Sequence, residues 1–279
     1  MTSLLVLLAA LLLAPVDGPD LPGKRIDLDG ATLFLPSGYR PHAGVVNLVL
    51  HLHGAPGVVE PAILASGWPA ALIEFNRKGL SRVYTEPFSD PALLPHLIDR
   101  ALAAIKAEGL ASNPREGTLV VSSFSAGFGG VREILKVPQH FDRIDAIVMA
   151  DSLYAGYAGD PTQHEVDPRL MAGFARFAAE AAEGRKTFLL THSAQVPEGY
   201  ASTTETADFL IRSLGGMPEL TKVDWGDGWT QVRRFSKGRF LVLGFHGTEG
   251  SDHLRHLRAI AQIWKAAPDP FAGDQGCSE

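Results

Sequence analysis

The apolar positions of this chain change period repeatedly. Val45-Val46-Asn47-Leu48-Val49-Leu50-His51 is an almost unbroken apolar run, and Thr118 to Ser122, Ile144 to Ala150, Thr187 to Thr191 and Phe240 to Phe245 read the same way. Runs this short, bounded by Gly, Pro or polar clusters, predict strands buried on both faces. A weaker strand is expected over 70–75. Between the runs the period lengthens. Leu93, Leu97, Ala101, Ala104 and Ile105 mark one face of a helix over 91–108. Further helices are expected over 126–135, 168–183 and 252–264, and over 203–214, where Gly215-Gly216 is a stop signal. Asp29-Gly30 and Asp227-Gly228 predict hairpin turns within 26–35 and 223–234.

Strands alternating with helices imply an α/β fold with a mostly parallel central sheet covered by helices on both faces. The span from Leu153 to Pro168 is too short for a large lid. A domain over 24–267 is expected, followed by a loose polar tail over 268–279. Residues 4–14 are apolar without interruption, too few to span a bilayer, and match the apolar core of a secretory signal peptide over 1–18. Export to the periplasm or medium is therefore expected, with an uncleaved N-terminal anchor as the alternative.

Charge narrows the partners. The formal net charge is -6, with Lys and Arg scattered, so there is no basic footprint for nucleic acid. No run beyond the leader is long enough to cross a membrane. The single cysteine, Cys277, cannot form an internal disulfide. The oligomeric state is not readable.

Reactive groups in such sheets gather beyond the carboxyl ends of the strands. There the chain reads Ser123-Phe124-Ser125-Ala126-Gly127, between the strand at 118–122 and the following helix. A serine on a sharp strand-to-helix turn has its hydroxyl presented and a helix N-terminus behind it, the arrangement of a nucleophile elbow. Ser123 stands where such motifs carry Gly. A helix-capping role for Ser125 is the plain alternative. At the end of an earlier strand stands His51-Leu52-His53-Gly54-Ala55. Lipases and esterases often carry His-Gly at this place, and that likeness implies that backbone N–H groups at Gly54 or Ala55, with that of Ala126, form an oxyanion hole.

With the elbow and His53-Gly54, and with an acid and a histidine downstream, the chain resembles the α/β-hydrolase fold serine hydrolases, an esterase- and lipase-like superfamily, over residues 26 to 266. The resemblance implies the α/β-hydrolase fold, no cofactor or metal, a small-molecule acyl substrate, and a nucleophile, acid and histidine in that chain order. His253, at the start of the final helix, is expected as the base, with His256 one turn on as support and His246 as the other candidate. Asp151, ending a buried strand, is expected as the acid, with Glu198 as the alternative. His53, Phe124 and Tyr154 are candidates for substrate contact. Trp225 and Trp229 read as hairpin packing or as an aromatic platform, and Thr203 reads as a helix cap. Two rival readings remain at this level. His51 and His53, as H-x-H at a strand end, also suit a metal-dependent amidohydrolase. The fold could also serve as a non-catalytic binding protein.

Overall fold

A computed structural model of the chain describes residues 22–272. The apolar leader and Cys277 lie outside these residues. The continuous apolar runs form the centre of a ten-stranded sheet. Its parallel core comprises β3 (Val45–Leu52), β4 (Ala71–Phe75), β5 (Arg115–Phe124), β6 (Ala146–Ala150), β7 (Thr187–His192) and β10 (Phe240–Phe245). One antiparallel edge is the hairpin of β1 (Gly23–Asp27) and β2 (Thr32–Pro36), joined to β4. The other is the hairpin of β8 (Glu219–Asp224) and β9 (Thr230–Lys237), joined to β10. The order across the sheet is β1-β2-β4-β3-β5-β6-β7-β10-β9-β8.

The two sheet faces feed two cores. Along β3, Val46, Leu48, Leu50 and Leu52 pack into one core, and Val49 into the other. The first core is closed by α2 (Arg82–Phe88), α3 (Leu93–Ala107), α4 (Phe128–Lys136), α5 (Pro138–Arg143), α6 (Pro168–Ala182) and α7 (Thr203–Ser213). The second is closed by α1 (Pro56–Ser66), α8 (Gly250–Arg258) and α9 (Ile260–Ala266). Side-chain alternation on doubly covered strands explains why these runs carry no polar face. Between Asp151 and Asp167 the chain forms only one short 3-10 turn, so no large lid stands over the strand ends.

Three differences from the sequence reading have local causes. The final helix is two: α8 and α9 meet at Ala259, whose φ and ψ of -94° and 13° leave the helical range. Helix α1 follows a stretch of Gly and Pro that reads as loop. Pro56 occupies its first turn, where a missing N–H costs nothing. The tail begins packed rather than loose: Phe271 is buried and meets Trp68 edge-on at 5.5 Å. Among the described residues, no helix is long and apolar enough to cross a membrane.

Candidate active site

Strand β5 ends at Phe124, and the chain turns through a 3-10 turn, Ser125–Gly127, into α4. Ser125 sits at φ 47°, in the left-handed region, where a side chain with a Cβ carries a strain of about 1–2 kcal/mol. The turn is tight because α4 leans on β3. A Cβ on Gly127 would lie 2.4 Å from the carbonyl oxygen of Leu52, and one on Gly129 2.6 Å from that of Ser81. No side chain fits at either position.

Ser123, where a glycine is usual, has space for its hydroxyl. Its Oγ lies 2.8 Å from Ser152 Oγ, and the Ser152 hydroxyl donates to the Ser125 carbonyl at 2.9 Å. The substitution thus adds a hydrogen-bonded brace beneath the turn. Ala126, the second residue of the 3-10 turn, lies in a first turn, where backbone N–H groups have no intrahelical acceptor. Gly54 and Ala55 close the far side at the entry to α1, with Ala55 as its N-cap.

Three side chains meet: Ser125 after β5, Asp151 after β6, and His253 in the first turn of α8. Ser125 Oγ is 2.8 Å from His253 Nε2, and His253 Nδ1 is 2.7 Å from Asp151 Oδ2. An ionised carboxylate only accepts, so Nδ1 carries the hydrogen and Nε2 offers its lone pair to the Ser125 hydroxyl. Asp151 has no exposed surface. Its Oδ1 accepts from the Ser193 N–H at 3.0 Å and from the Thr203 hydroxyl at 2.5 Å. Burial would raise this carboxyl. The imidazoles of His256 and His253 and the Thr203 hydroxyl outweigh burial and hold it below the usual carboxylate range.

His253 is also fixed by stacking. Its ring lies 4.6 Å from that of Phe124, at 28° between planes. Phe124 also stacks with His53, at 5.9 Å and 18°. Phe124 has no exposed surface. It packs against two imidazoles and is not the exposed pocket lining expected from its place beside Ser125. Tyr154 is held in an aromatic cluster with Phe128 and Tyr200, at 5.5 and 5.7 Å, and burial raises its phenol well above its ordinary value.

The remaining candidates separate cleanly. His256 is fully buried, with Nδ1 2.8 Å from Thr191 Oγ1, and burial lowers it to about 4. It is a neutral support beneath the Asp151 strand end. His246 is exposed, and Glu198 lies on the exposed part of the loop after β7. His51 and His53 diverge: His51 Nδ1 meets Ser122 Oγ at 3.0 Å, and His53 Nδ1 meets the Tyr84 hydroxyl at 2.8 Å. Among the described residues, no three His, Cys, Asp or Glu side chains gather as a metal site would require. Trp229 is buried and stacks on Phe245 at 3.8 Å, with Trp225 edge-on to both, so this pair is hairpin packing.

Thr203 was misread as a cap. Ser202 caps α7, in a capping box with Glu205, which leaves the Thr203 hydroxyl for Asp151. The signal was present as Ser202-Thr203-Thr204-Glu205, a Ser followed three residues later by Glu. Ser193 and Tyr84 carry no comparable sequence signal. Ser193 acts through its backbone, and Tyr84 through contacts distant in sequence.

No protein-family model and no curated protein matches this chain. Solved structures match it in fold. The enterobactin esterase of Shigella flexneri, in the presence of 2,3-dihydroxy-N-benzoyl-glycine, superposes with a TM-score of 0.52 at 12% identity, over 89% of this chain and 60% of that one. In the presence of enterobactin the same esterase gives 0.51 at 13% identity, over 91% and 60%. A cold-adapted esterase from an Arctic intertidal metagenomic library gives 0.45 at 13% identity, over 92% and 99%. This chain spans 60% of the length of the Shigella esterase. With its sheet order and helices on both faces, the chain has the α/β-hydrolase fold.

Proposed function

We propose that this protein is a serine hydrolase that cleaves a carboxylic ester, or a related acyl bond, through an acyl-enzyme. The observation that carries the reading is the unbroken relay Ser125–His253–Asp151, with Ser125 strained into the left-handed region at a strand-to-helix turn. Strain of this kind persists only where the surroundings enforce it.

Each group has one task. His253 Nε2 takes the Ser125 proton as Oγ attacks the acyl carbonyl carbon. The carbonyl electron pair moves to its oxygen, which the N–H groups of Ala126 and of Gly54 or Ala55 receive. When the intermediate collapses, the alcohol leaves with the proton from His253. A water then gives His253 a proton and attacks the acyl-enzyme, which releases the acid and restores Ser125. Asp151 keeps the imidazole in the Nδ1–H tautomer throughout and faces the imidazolium while it exists. These steps are carried by side chains and backbone N–H groups alone.

A fluorophosphonate probe tests the reading. The wild-type protein is expected to label, with and without a chelator, and Ser125→Ala is expected not to. Ester hydrolysis that a chelator abolishes, in a protein that never labels, would favour the metal-dependent reading instead.

A further inference from the structure

Beside the relay stands a second imidazole whose proton can be placed by counting. The Tyr84 hydroxyl makes three contacts: with the Arg77 carbonyl oxygen at 2.9 Å, with the Arg77 backbone N–H at 2.9 Å, and with His53 Nδ1 at 2.8 Å. The phenol has one hydrogen. The carbonyl oxygen has none, so that contact is favourable only if the phenol donates to it. The other two contacts must then be donated to the phenol oxygen. His53 Nδ1 therefore carries the hydrogen, and His53 Nε2 carries a bare lone pair.

That lone pair is available. His53 is half-buried, and Nε2 has no hydrogen-bond partner among the described residues. It is not one of the enclosed orphan atoms, unlike Nε2 of His51 and His256, so it reaches solvent. Its place is fixed as well. His53 has φ 68° at the end of β3, immediately before Gly54 and Ala55, and its ring stacks on Phe124, as that of His253 does. Burial, and then the neighbouring His253, lower His53 to about 4, so the ring stays neutral through the physiological range. Two imidazoles stacked on Phe124 thus each carry an unprotonated Nε2. His253 Nε2 faces the Ser125 hydroxyl. His53 Nε2 has no hydrogen-bond partner among the described residues.

We infer that His53 Nε2 is the acceptor of a substrate-binding subsite for a hydroxyl or amide N–H flanking the scissile carbonyl. The inference rests on the serine-hydrolase reading of Ser125 and narrows its substrate to donor-bearing esters. A site built to accept a hydrogen bond discriminates against the analogue that lacks the donor, because the acceptor is then desolvated without a partner. Tyr84 is the positioning residue that sets the tautomer.

Matched esters test it. Hydrolysis of p-nitrophenyl 3-hydroxybutyrate is compared with that of p-nitrophenyl butyrate, and of N-acetylglycine p-nitrophenyl ester with that of p-nitrophenyl propionate. At least one donor-bearing ester is expected to be preferred in kcat/KM by ~10-fold or more, the scale of one lost hydrogen bond. His53→Asn, which tolerates the left-handed backbone but falls short of the Nε2 position, is expected to bring that ratio close to 1. Tyr84→Phe leaves His53 in place but frees its tautomer, and is expected to lower the ratio part of the way, mainly through KM. A wild-type ratio near 1 for both pairs, or a ratio unchanged in both variants, overturns the subsite. Fluorophosphonate labelling of wild-type Ser125 separates the two failures. If it persists, the hydrolase reading stands without the subsite; if it is absent, the reading itself has failed.

Discussion

Two carboxyl groups are buried near the carboxyl ends of the parallel strands, and they are treated oppositely. Asp151, at the end of β6, has no exposed surface, and Glu74, near the end of β4, is 4% exposed. Burial pushes both upward. Asp151 nevertheless stays ionised, because the imidazoles of His256 and His253 and the Thr203 hydroxyl outweigh burial. Among the described residues, neither oxygen of Glu74 has a hydrogen-bond partner. Burial and the nearby Glu60 carry Glu74 up to about 8, against the pull of Arg25, which is paired to Glu60. Burial alone therefore does not decide ionisation. The charges and hydrogen-bond donors facing the carboxylate decide it. One group is held as an anion facing the His253 imidazole, and the other is kept neutral on β4, between β2 and β3.

The largest effect comes from removing the anion. Asp151→Asn keeps the shape but lets His253 adopt the wrong tautomer, and a fall in kcat of about 10³–10⁴-fold is expected, with fluorophosphonate labelling slowed in parallel. Circular dichroism should show the fold retained. A loss of less than tenfold would break the contrast, because it would mean that the ionised state of Asp151 does no chemical work.

Glu74→Gln acts on the other member, and its effect is on stability. Glu74 in the folded state holds its proton up to about pH 8, whereas the unfolded chain loses it near the ordinary value of 4.5. Between those values the folded state binds more protons, so its stability falls as pH rises through the window and is flat above it. Gln cannot ionise. The variant is therefore expected to be more stable than wild type above pH 8, by about 2–4 kcal/mol, and to match it near pH 4. Urea unfolding across pH 4–9 measures the difference. Parallel wild-type and variant curves would show that Glu74 finds a partner in solution.

The two carboxyls also differ in how far the sequence disclosed them. Asp151 was legible because it closes the buried run Ile144 to Ala150, where a lone carboxylate needs a partner, and because the chain order of nucleophile, acid and histidine allows few positions. Ser125 and His253 were legible for the same reason, from their places after a strand and before a helix. Glu74 sits in an equally apolar segment, Ala71-Leu72-Ile73-Glu74-Phe75, but nothing along the chain says which charges lie across the sheet. Phe124 shows the same limit. Its position beside Ser125 was plain, but its packing against His53 and His253 depends on rings delivered from β3 and α8. Local pattern located the strand ends. It could not give the distances between side chains from separate strands, and those set the chemistry.

The smallest effect probes the contrast from within the relay. Thr203→Val is nearly isosteric and removes one of the two donors to Asp151 Oδ1, leaving the Ser193 N–H and His253. The change moves Asp151 one step toward the condition of Glu74. Losing a hydrogen bond to a charged, buried acceptor costs about 1.5–3 kcal/mol. Asp151 has a folded-state value below its ordinary one, so it contributes stability at neutral pH that is lost as pH falls through that lowered value. With one donor gone, the lowered value rises, and the variant should lose its stability at a higher pH than wild type on acidification. kcat should fall by roughly tenfold, with KM for a small ester nearly unchanged, because Thr203 acts on His253 only through Asp151. Thr203→Ser keeps the hydroxyl and should recover most of both. If Thr203→Val lowers stability equally at every pH and leaves kcat alone, Thr203 is packing, and its hydroxyl is not part of what separates the two carboxyls.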